Sequence, residues 1–356
     1  MQISDFDFEL PADRIATKPT KERDLSKLLV LGRNSGKIEH RKFHDIIDYL
    51  RKGDILVINN SKVFPARLLG HKKDSGGKVE ILLNHELSAG IWEVVGKGLK
   101  EGSEIIFDNS ALTGLVLGKD VETASIKFNL GGEEFFREIE KVGHIPLPPY
   151  IEKQRSLSGI GDKVNDREEY QTVYAKPKGS VAAPTAGLHF TSLLLEKIKD
   201  RGVEVLEVTL HVGLGTFQPV KTERVEDHKI HKEFFTIDHE VIVKIQEAKD
   251  NGRRIVAVGT TTTRVLETVF SDKFIPKSQV LNPDSQLLSG WTDIYLYPGS
   301  KFHCIDGMIT NFHLPKSSLL LLVSAFAGKE AILTAYKTAI KHQYRFYSYG
   351  DAMLII

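Results

Sequence analysis

The chain carries a single cysteine, Cys304. One thiol excludes any disulfide within the chain and any zinc or iron–sulfur site built from several thiolates. Sparse cysteine also fits a reducing compartment. An excess of one charge is missing too: 48 Lys and Arg stand against 47 Asp and Glu. Coating nucleic acid by bulk positive charge is therefore excluded, whereas a local basic patch is not. Long apolar runs are absent. The longest uncharged apolar stretch, Ser317 to Gly328, falls short of the ~20 residues of a membrane span and predicts a buried helix. The opening M-Q-I-S-D-F-D-F-E-L has neither a basic start nor an apolar segment, so no secretory signal is expected. There is no internal repeat and no low-complexity tract. What is present is a globular composition, 41% apolar and 27% charged, expected in the cytoplasm. A length of 356 residues predicts two domains, at roughly 100–200 residues each.

Texture along the chain divides it. Asp54 to Asn59 (D-I-L-V-I-N) reads as a buried strand, and Asp45 to Leu50 as a brief helix. From Phe64 onward, short β-prone runs recur: Ala66–Gly70, Val79–Leu83, Ile91–Val95, Glu104–Phe107, Thr113–Leu117 and Thr123–Phe128. Eleven of the 29 glycines fall in this stretch, mostly between the runs, which predicts a small antiparallel β-barrel or sandwich. Glu133 to Val142 follows as a helix, and the charged segment Glu152 to Glu169 reads as an exposed loop or lid. Beyond Tyr170, helix and strand alternate. Helices are expected over Thr191–Arg201, Glu240–Asn251, Arg264–Phe270, Ser317–Ala327 and Lys329–Lys341, and strands over Val203–Val212, Ile255–Val258 and Met353–Ile356. The expected fold is a mixed α/β main domain formed by residues 1–63 and 151–356, with an inserted antiparallel β-barrel domain at 64–150.

Several segments hold residues suited to chemistry. In S-V-A-A-P-T-A-G-L-H-F, small residues allow a ligand close to the backbone, and His189 precedes a helix. In T-L-H-V-G-L-G-T-F, a strand delivers His211 to a Gly-x-Gly turn that lacks the third glycine of a dinucleotide fingerprint. His228 and His231, with Glu233 close by, could share a helical face and bind a metal, or be a hydrogen-bonded pair. V-A-V-G-T-T-T-T-R runs from strand to helix, with Arg264 placed at the helix start, where the dipole disfavours it. Asn311 and His313 stand at a strand end, where open α/β sheets gather ligands. Lys337, Lys341 and Arg345 form one basic stripe if their helix continues that far, followed by Tyr344, Phe346, Tyr347 and Tyr349.

Together these segments resemble the S-adenosylmethionine:tRNA ribosyltransferase-isomerase family of queuosine biosynthesis. The resemblance runs nearly end to end, through N-N-S-K-V-F-P-A-R-L, G-H-I-P-L-P-P-Y-I, Y-Q-T-V-Y-A, V-A-A-P-T-A-G-L-H-F, V-T-L-H-V-G-L-G-T-F, H-K-I-H-K-E, V-A-V-G-T-T-T-T-R, Y-P-G, T-N-F-H-L-P and F-Y-S-Y-G-D-A-M. It implies an α/β domain carrying an inserted barrel. It also implies an enzyme that moves the ribosyl part of S-adenosylmethionine onto 7-aminomethyl-7-deazaguanine (preQ1) at the tRNA wobble position. The ribosyl rearranges to an epoxycyclopentane, and adenine and methionine leave. S-adenosylmethionine is then a consumed substrate, and neither cofactor nor metal is implied. A monomer is expected.

Such chemistry needs acid–base groups near pH 7, which points to His189, His211, His228, His231 and His313. As a hypothesis, His211 or His189 is the base, with Asp351 or Glu233 orienting or protonating a partner. Within the matched motifs, Gly213, Gly215, Thr216, Gly259 and Thr260 suit ribose and carboxylate contacts, and Arg264 a carboxylate or phosphate. Tyr170, Tyr174, Phe190 and Phe217 are candidate stacking faces. Asn59, Asn60, Arg67, Ala183, Thr185, Gly187 and Asn311 complete the substrate-binding candidates. Lys72, Lys73, Lys78, Lys337, Lys341 and Arg345 are the candidates for tRNA phosphates. The rival readings are a nucleotide-dependent oxidoreductase or methyltransferase, a non-catalytic RNA-binding module, and a metal hydrolase using His228 and His231.

Overall fold

The structure, a computed structural model, describes residues 1–121, 123–158, 164–213, 220–271 and 286–356. The chain opens with β1 (Lys27–Leu31), β2 (Ile38–Lys42), β3 (Ile55–Asn59) and the short β4 (Lys62–Val63). Six strands follow: β5 (Arg67–Lys72), β6 (Lys78–Ser88), β7 (Ile91–Lys97), β8 (Glu104–Ile106), β9 (Thr113–Lys119) and β10 (Ala124–Phe128). They close into an antiparallel barrel in the order β10-β7-β6-β5-β8-β9. Each overlaps one of the β-prone runs read from the sequence. The burial of β6 alternates along its first half, so that Val79, Ile81 and Leu83 point into the barrel core. Helix α1 (Gly132–Val142) joins that core through Phe135 and Ile139.

Among its described residues, the segment expected as a loop after α1 holds two helices. It forms α2 (Pro149–Ser158) and α3 (Asp166–Glu169). Arg155 of α2 is buried in a two-pronged ion pair with Asp166 (2.6 and 3.0 Å) and also bonds the carbonyl of Thr17. That pairing ties α2 to the start of α3. The expected helix at Asp45–Leu50 is instead a 3-10 turn over Phe43–Asp48.

The remaining elements are β11 (Lys178–Ser180), α4 (Ser192–Asp200), β12 (Glu204–Leu210), β13 (Glu233–Asp238), α5 (His239–Asp250), β14 (Ile255–Val258), α6 (Gly259–Val269), β15 (Leu287–Thr292), β16 (Gly307–Asn311), α7 (Ser318–Ala327), α8 (Lys329–Lys341) and β17 (Ala352–Ile355). The large sheet has the order β15-β13-β12-β3-β14-β16-β17-β1-β2. Strands β12, β3, β14 and β16 run parallel, so their carboxyl ends share one edge. β17 runs antiparallel to β16 and parallel to β1, which brings the starts of β17 and β1 to that same edge.

The sheet is covered on both faces, as near-continuous apolar runs in parallel strands require. Leu29, Ile55, Val57, Ile255 and Met353 pack with the apolar residues of α5, α6, α7 and α8. Leu28, Leu56, Ile58, Val256 and Leu354 pack on the other side with Phe43 and with Leu194 and Ile198 of α4. Each such side chain stabilises the fold by ~1.5–3 kcal/mol over leaving it exposed. Thr191 caps α4 by accepting the amide of Leu194 (3.1 Å). Among the described residues, no single helix is long and apolar enough to cross a membrane.

Two further local expectations fail. Helix α6 begins at Gly259 rather than Arg264, and Gly259, at φ +90°, lets the chain pass directly from β14 into it. The hydroxyls of Thr262 and Thr263 donate back to the carbonyls of Val258 and Gly259, so Arg264 lies mid-helix, away from the dipole's positive end. Helix α8 ends at Lys341, so Arg345 leaves the stripe and turns toward Asp351 and the carbonyl of Lys18.

Candidate active site

The shared edge holds a cavity of about 220 Å³. The carboxyl end of β16 supplies Thr310, Asn311, Phe312 and His313 to its wall, and α6 supplies Gly259, Thr260 and Thr261. Val212 follows β12, and the V-A-A-P-T-A segment brings Ala182 to Ala186. Tyr150, Tyr170, Tyr347 and Ser348 also line the cavity. This is where a parallel sheet places a ligand.

A hydrogen-bonded row fixes one wall. The Thr185 hydroxyl donates to Oδ1 of Asn311 (2.8 Å), and Asn311 Nδ2 donates to Nε2 of His189 (3.1 Å). That leaves the His189 proton on Nδ1, donated to the Ser26 hydroxyl (2.7 Å). His189 also stacks on Phe43 at 5.0 Å. Burial, with help from Arg345 and Arg23, pushes the His189 pKa down to about 3, so the ring is neutral at pH 7. The turn carrying it depends on Gly187, where a Cβ would fall 2.1 Å from the Tyr174 hydroxyl.

His313 lines the cavity itself. Its Nε2 bonds the Thr310 hydroxyl (2.8 Å), and its backbone N–H donates to the Tyr336 hydroxyl (2.9 Å). Burial lowers its pKa to about 3. Tyr150 and Ser348, also in the lining, share a short hydroxyl–hydroxyl bond of 2.5 Å, and the Ser348 N–H donates to Tyr150 (3.1 Å). Burial pushes the Tyr150 phenol up to about 12, keeping it protonated. Tyr170 is fully buried, lines the cavity and meets Tyr349 edge-on at 5.6 Å.

A second cluster joins two other motifs. Glu233, at the start of β13, accepts the N–H of Gly213 (3.0 Å) and is ion-paired with Arg264, both side chains being buried. Arg264 also donates to the carbonyl of Thr292 (3.4 Å). His211 lies parallel to Phe234 at 6.2 Å and against Gly179, where a Cβ would fall 2.6 Å from the ring. Its Nδ1 is buried without a hydrogen bond among the described residues, and burial lowers its pKa. Gly215, Thr216 and Phe217 lie outside the described residues.

Other candidates serve the framework. The Asn59 amide donates to the Leu210 carbonyl and accepts the Leu210 N–H (both 3.1 Å), extending the β3–β12 ladder with a side chain. Asn60 bonds Glu207 and Thr209. Arg67 bridges Glu80 of the barrel and Glu152 of α2. Asp351 accepts the N–H groups of Lys27 (2.9 Å) and Arg345 (2.7 Å), pinning the starts of β1 and β17. Phe190 is fully buried, edge-on to Phe43. Tyr344, Phe346 and Tyr349 are buried as well, so of the aromatic run only Tyr347 lines the cavity.

His228 and His231 are not on a helix. They follow a 3-10 turn in irregular chain, with His228 against Tyr295 and His231 exposed. Among the described residues, no group of three or more His, Cys, Asp or Glu side chains converges as a metal site would require. Lys72, Lys73 and Lys78 sit on the β5–β6 hairpin and Lys337 and Lys341 on α8, away from the cavity lining. Tyr150, Thr310, Ser348 and Ser26 were not singled out by motif chemistry. They lie in or beside segments whose common hydroxyl residues acquire meaning only through their neighbours in space.

Comparison with known proteins matches this architecture. The family model described as "Queuosine biosynthesis protein" matches residues 3–355. A relative from Halothermothrix orenii, named S-adenosylmethionine:tRNA ribosyltransferase-isomerase, is 49% identical over the full length of both chains. One from Acetivibrio thermocellus with the same name is 50% identical, again over the full length of both. The crystal structure of S-adenosylmethionine tRNA ribosyltransferase from Thermotoga maritima aligns over 99% of this chain and 100% of that one, with TM-score 0.56 and 37% identity. The chain therefore belongs to the queuosine biosynthesis protein family.

Proposed function

We propose that this chain is a tRNA ribosyltransferase-isomerase that moves the ribosyl part of S-adenosylmethionine onto preQ1 at the tRNA wobble position. The product is epoxyqueuosine-tRNA, with adenine and methionine released. The observation that carries the reading is the cavity at the strand carboxyl ends, walled by a buried His313 and by the amino terminus of α6. Full-length relatives named for this reaction support it.

The sulfonium acidifies the ribose C5′ protons, and a base must take one. His313 is the base this geometry favours. With Nε2 bonded to the Thr310 hydroxyl, Nδ1 is the ring nitrogen left to meet a substrate proton. His189 has both ring nitrogens engaged, so it holds Asn311 and Thr185 in place. The N–H groups at Gly259–Thr261 suit the methionine carboxylate or the ribose hydroxyls. Arg264 is committed to Glu233 and holds the β13 start against α6. Tyr150, kept protonated, is a donor for a ribose oxygen or for departing adenine.

Residues 1–63 and 151–356 act as the catalytic unit, with 64–150 as the inserted barrel. The protein works as a cytoplasmic monomer, needs no cofactor, and consumes S-adenosylmethionine. The test uses S-adenosylmethionine labelled either in the ribose or in the methyl group. Ribose label is expected in preQ1-tRNA, and methyl label in free methionine. Methyl label in the tRNA would make the protein a methyltransferase instead.

A further inference from the structure

Trp291 is 47% exposed on β15, the edge strand of the large sheet. It stands opposite Phe234 in the β13–β15 register. Its ring packs edge-on against Phe234 (5.5 Å, 64°) and against His85 of the barrel strand β6 (5.3 Å, 70°). Phe234 in turn lies parallel to His211 (6.2 Å, 5°), whose neighbour Val212 lines the cavity. A row of rings thus runs from the surface to the cavity wall, across the junction of barrel and sheet. Lys229, His231 and Lys232 are exposed just before β13, whose first residue Glu233 pairs with Thr292, next in the chain to Trp291.

An exposed ring held by other rings, with cationic side chains alongside, is how proteins take up an unstacked nucleobase. A protein partner would call for a broad apolar face, whereas here the exposed ring rests on two other rings and exposed Lys229 and Lys232 precede the strand it pairs with. We infer that Trp291, backed by Phe234 and His85, is the stacking platform for an unpaired nucleobase of the tRNA beside the one that enters the cavity. The inference rests on tRNA being the substrate.

The chain has two tryptophans, and the other, Trp92, is 5% exposed inside the barrel and stacked on Phe135 at 5.2 Å. A Trp92→Phe variant therefore leaves Trp291 as the sole tryptophan, read by exciting at wavelengths where tyrosine does not absorb. Titration with preQ1-tRNA should quench it, and S-adenosylmethionine alone should not. If Trp92→Phe does not fold, the difference between wild type and Trp291→Phe reads the same signal. Trp291→Ala should weaken tRNA binding by about 5- to 150-fold at low and high salt alike, leaving the salt slope unchanged. Trp291→Phe should restore most of the affinity, and S-adenosylmethionine binding should stay as in wild type. No quenching, with Trp291→Ala affinity within twofold of a wild type that binds tRNA, would overturn the platform and leave the proposed reaction standing. A wild type that binds no tRNA at all would overturn both.

Discussion

His313 and His189 show what burial does to a residue type chosen for chemistry. Both imidazoles are held near pKa 3 instead of the ordinary 6.5. As pH falls below 6.5, the unfolded chain takes up a proton on each ring and the folded chain does not until about 3. The unfolded state then binds more protons, so stability drops with falling pH, by up to ~1.4 kcal/mol per pH unit per histidine. Urea midpoints measured from pH 7 to pH 5 should fall less steeply in His313→Gln than in wild type. Equal slopes would show that His313 is not held neutral. The Glu233–Arg264 pair predicts a different outcome. Both side chains are buried, so Glu233→Ala strands a guanidinium in the interior and should cost ~3–5 kcal/mol in urea unfolding. Glu233 and Arg264 were visible in the sequence only as separate candidates. Their pairing depends on β13 and α6 meeting in space, which no spacing along the chain encodes.

Among the elements, legibility followed periodicity. The barrel strands and the helices over Thr191–Arg201 and Glu240–Asn251 were readable because apolar residues recur at the period of the element. Helix α2 was not, because Arg155 is stabilised by Asp166, a partner beyond the helix, rather than by an apolar stripe. The start of α6 was also misplaced, since threonines that bond back to preceding carbonyls look like a cap from sequence alone. Elements also separate the basic residues. Lys72 and Lys78 lie on the β5–β6 hairpin, while Lys337 and Lys341 lie on one face of α8. Where a pair touches phosphates, replacing it with glutamine should flatten the log–log salt dependence of tRNA binding by ~0.7–0.9 per lost contact. A pair whose loss leaves the slope unchanged does not belong to the interface.

On the scale of the whole molecule, the sheet gathers one edge's worth of chemistry, and the barrel stands beside it. The strand carboxyl ends place Asn311, His313 and the start of α6 around a single cavity, although these residues span more than fifty positions of sequence. The barrel reaches that region through Asn84, whose side-chain oxygen lies 3.2 Å from where a Cβ on Gly213 would be, and through His85 against Trp291. The most direct test of this account is adenine release. The protein is mixed with S-adenosylmethionine and either preQ1-tRNA or the same tRNA carrying guanine. The account predicts adenine and methionine in equal amounts with preQ1-tRNA and neither with the guanine tRNA. Adenine absent with both tRNAs, while the protein still binds them, would contradict it.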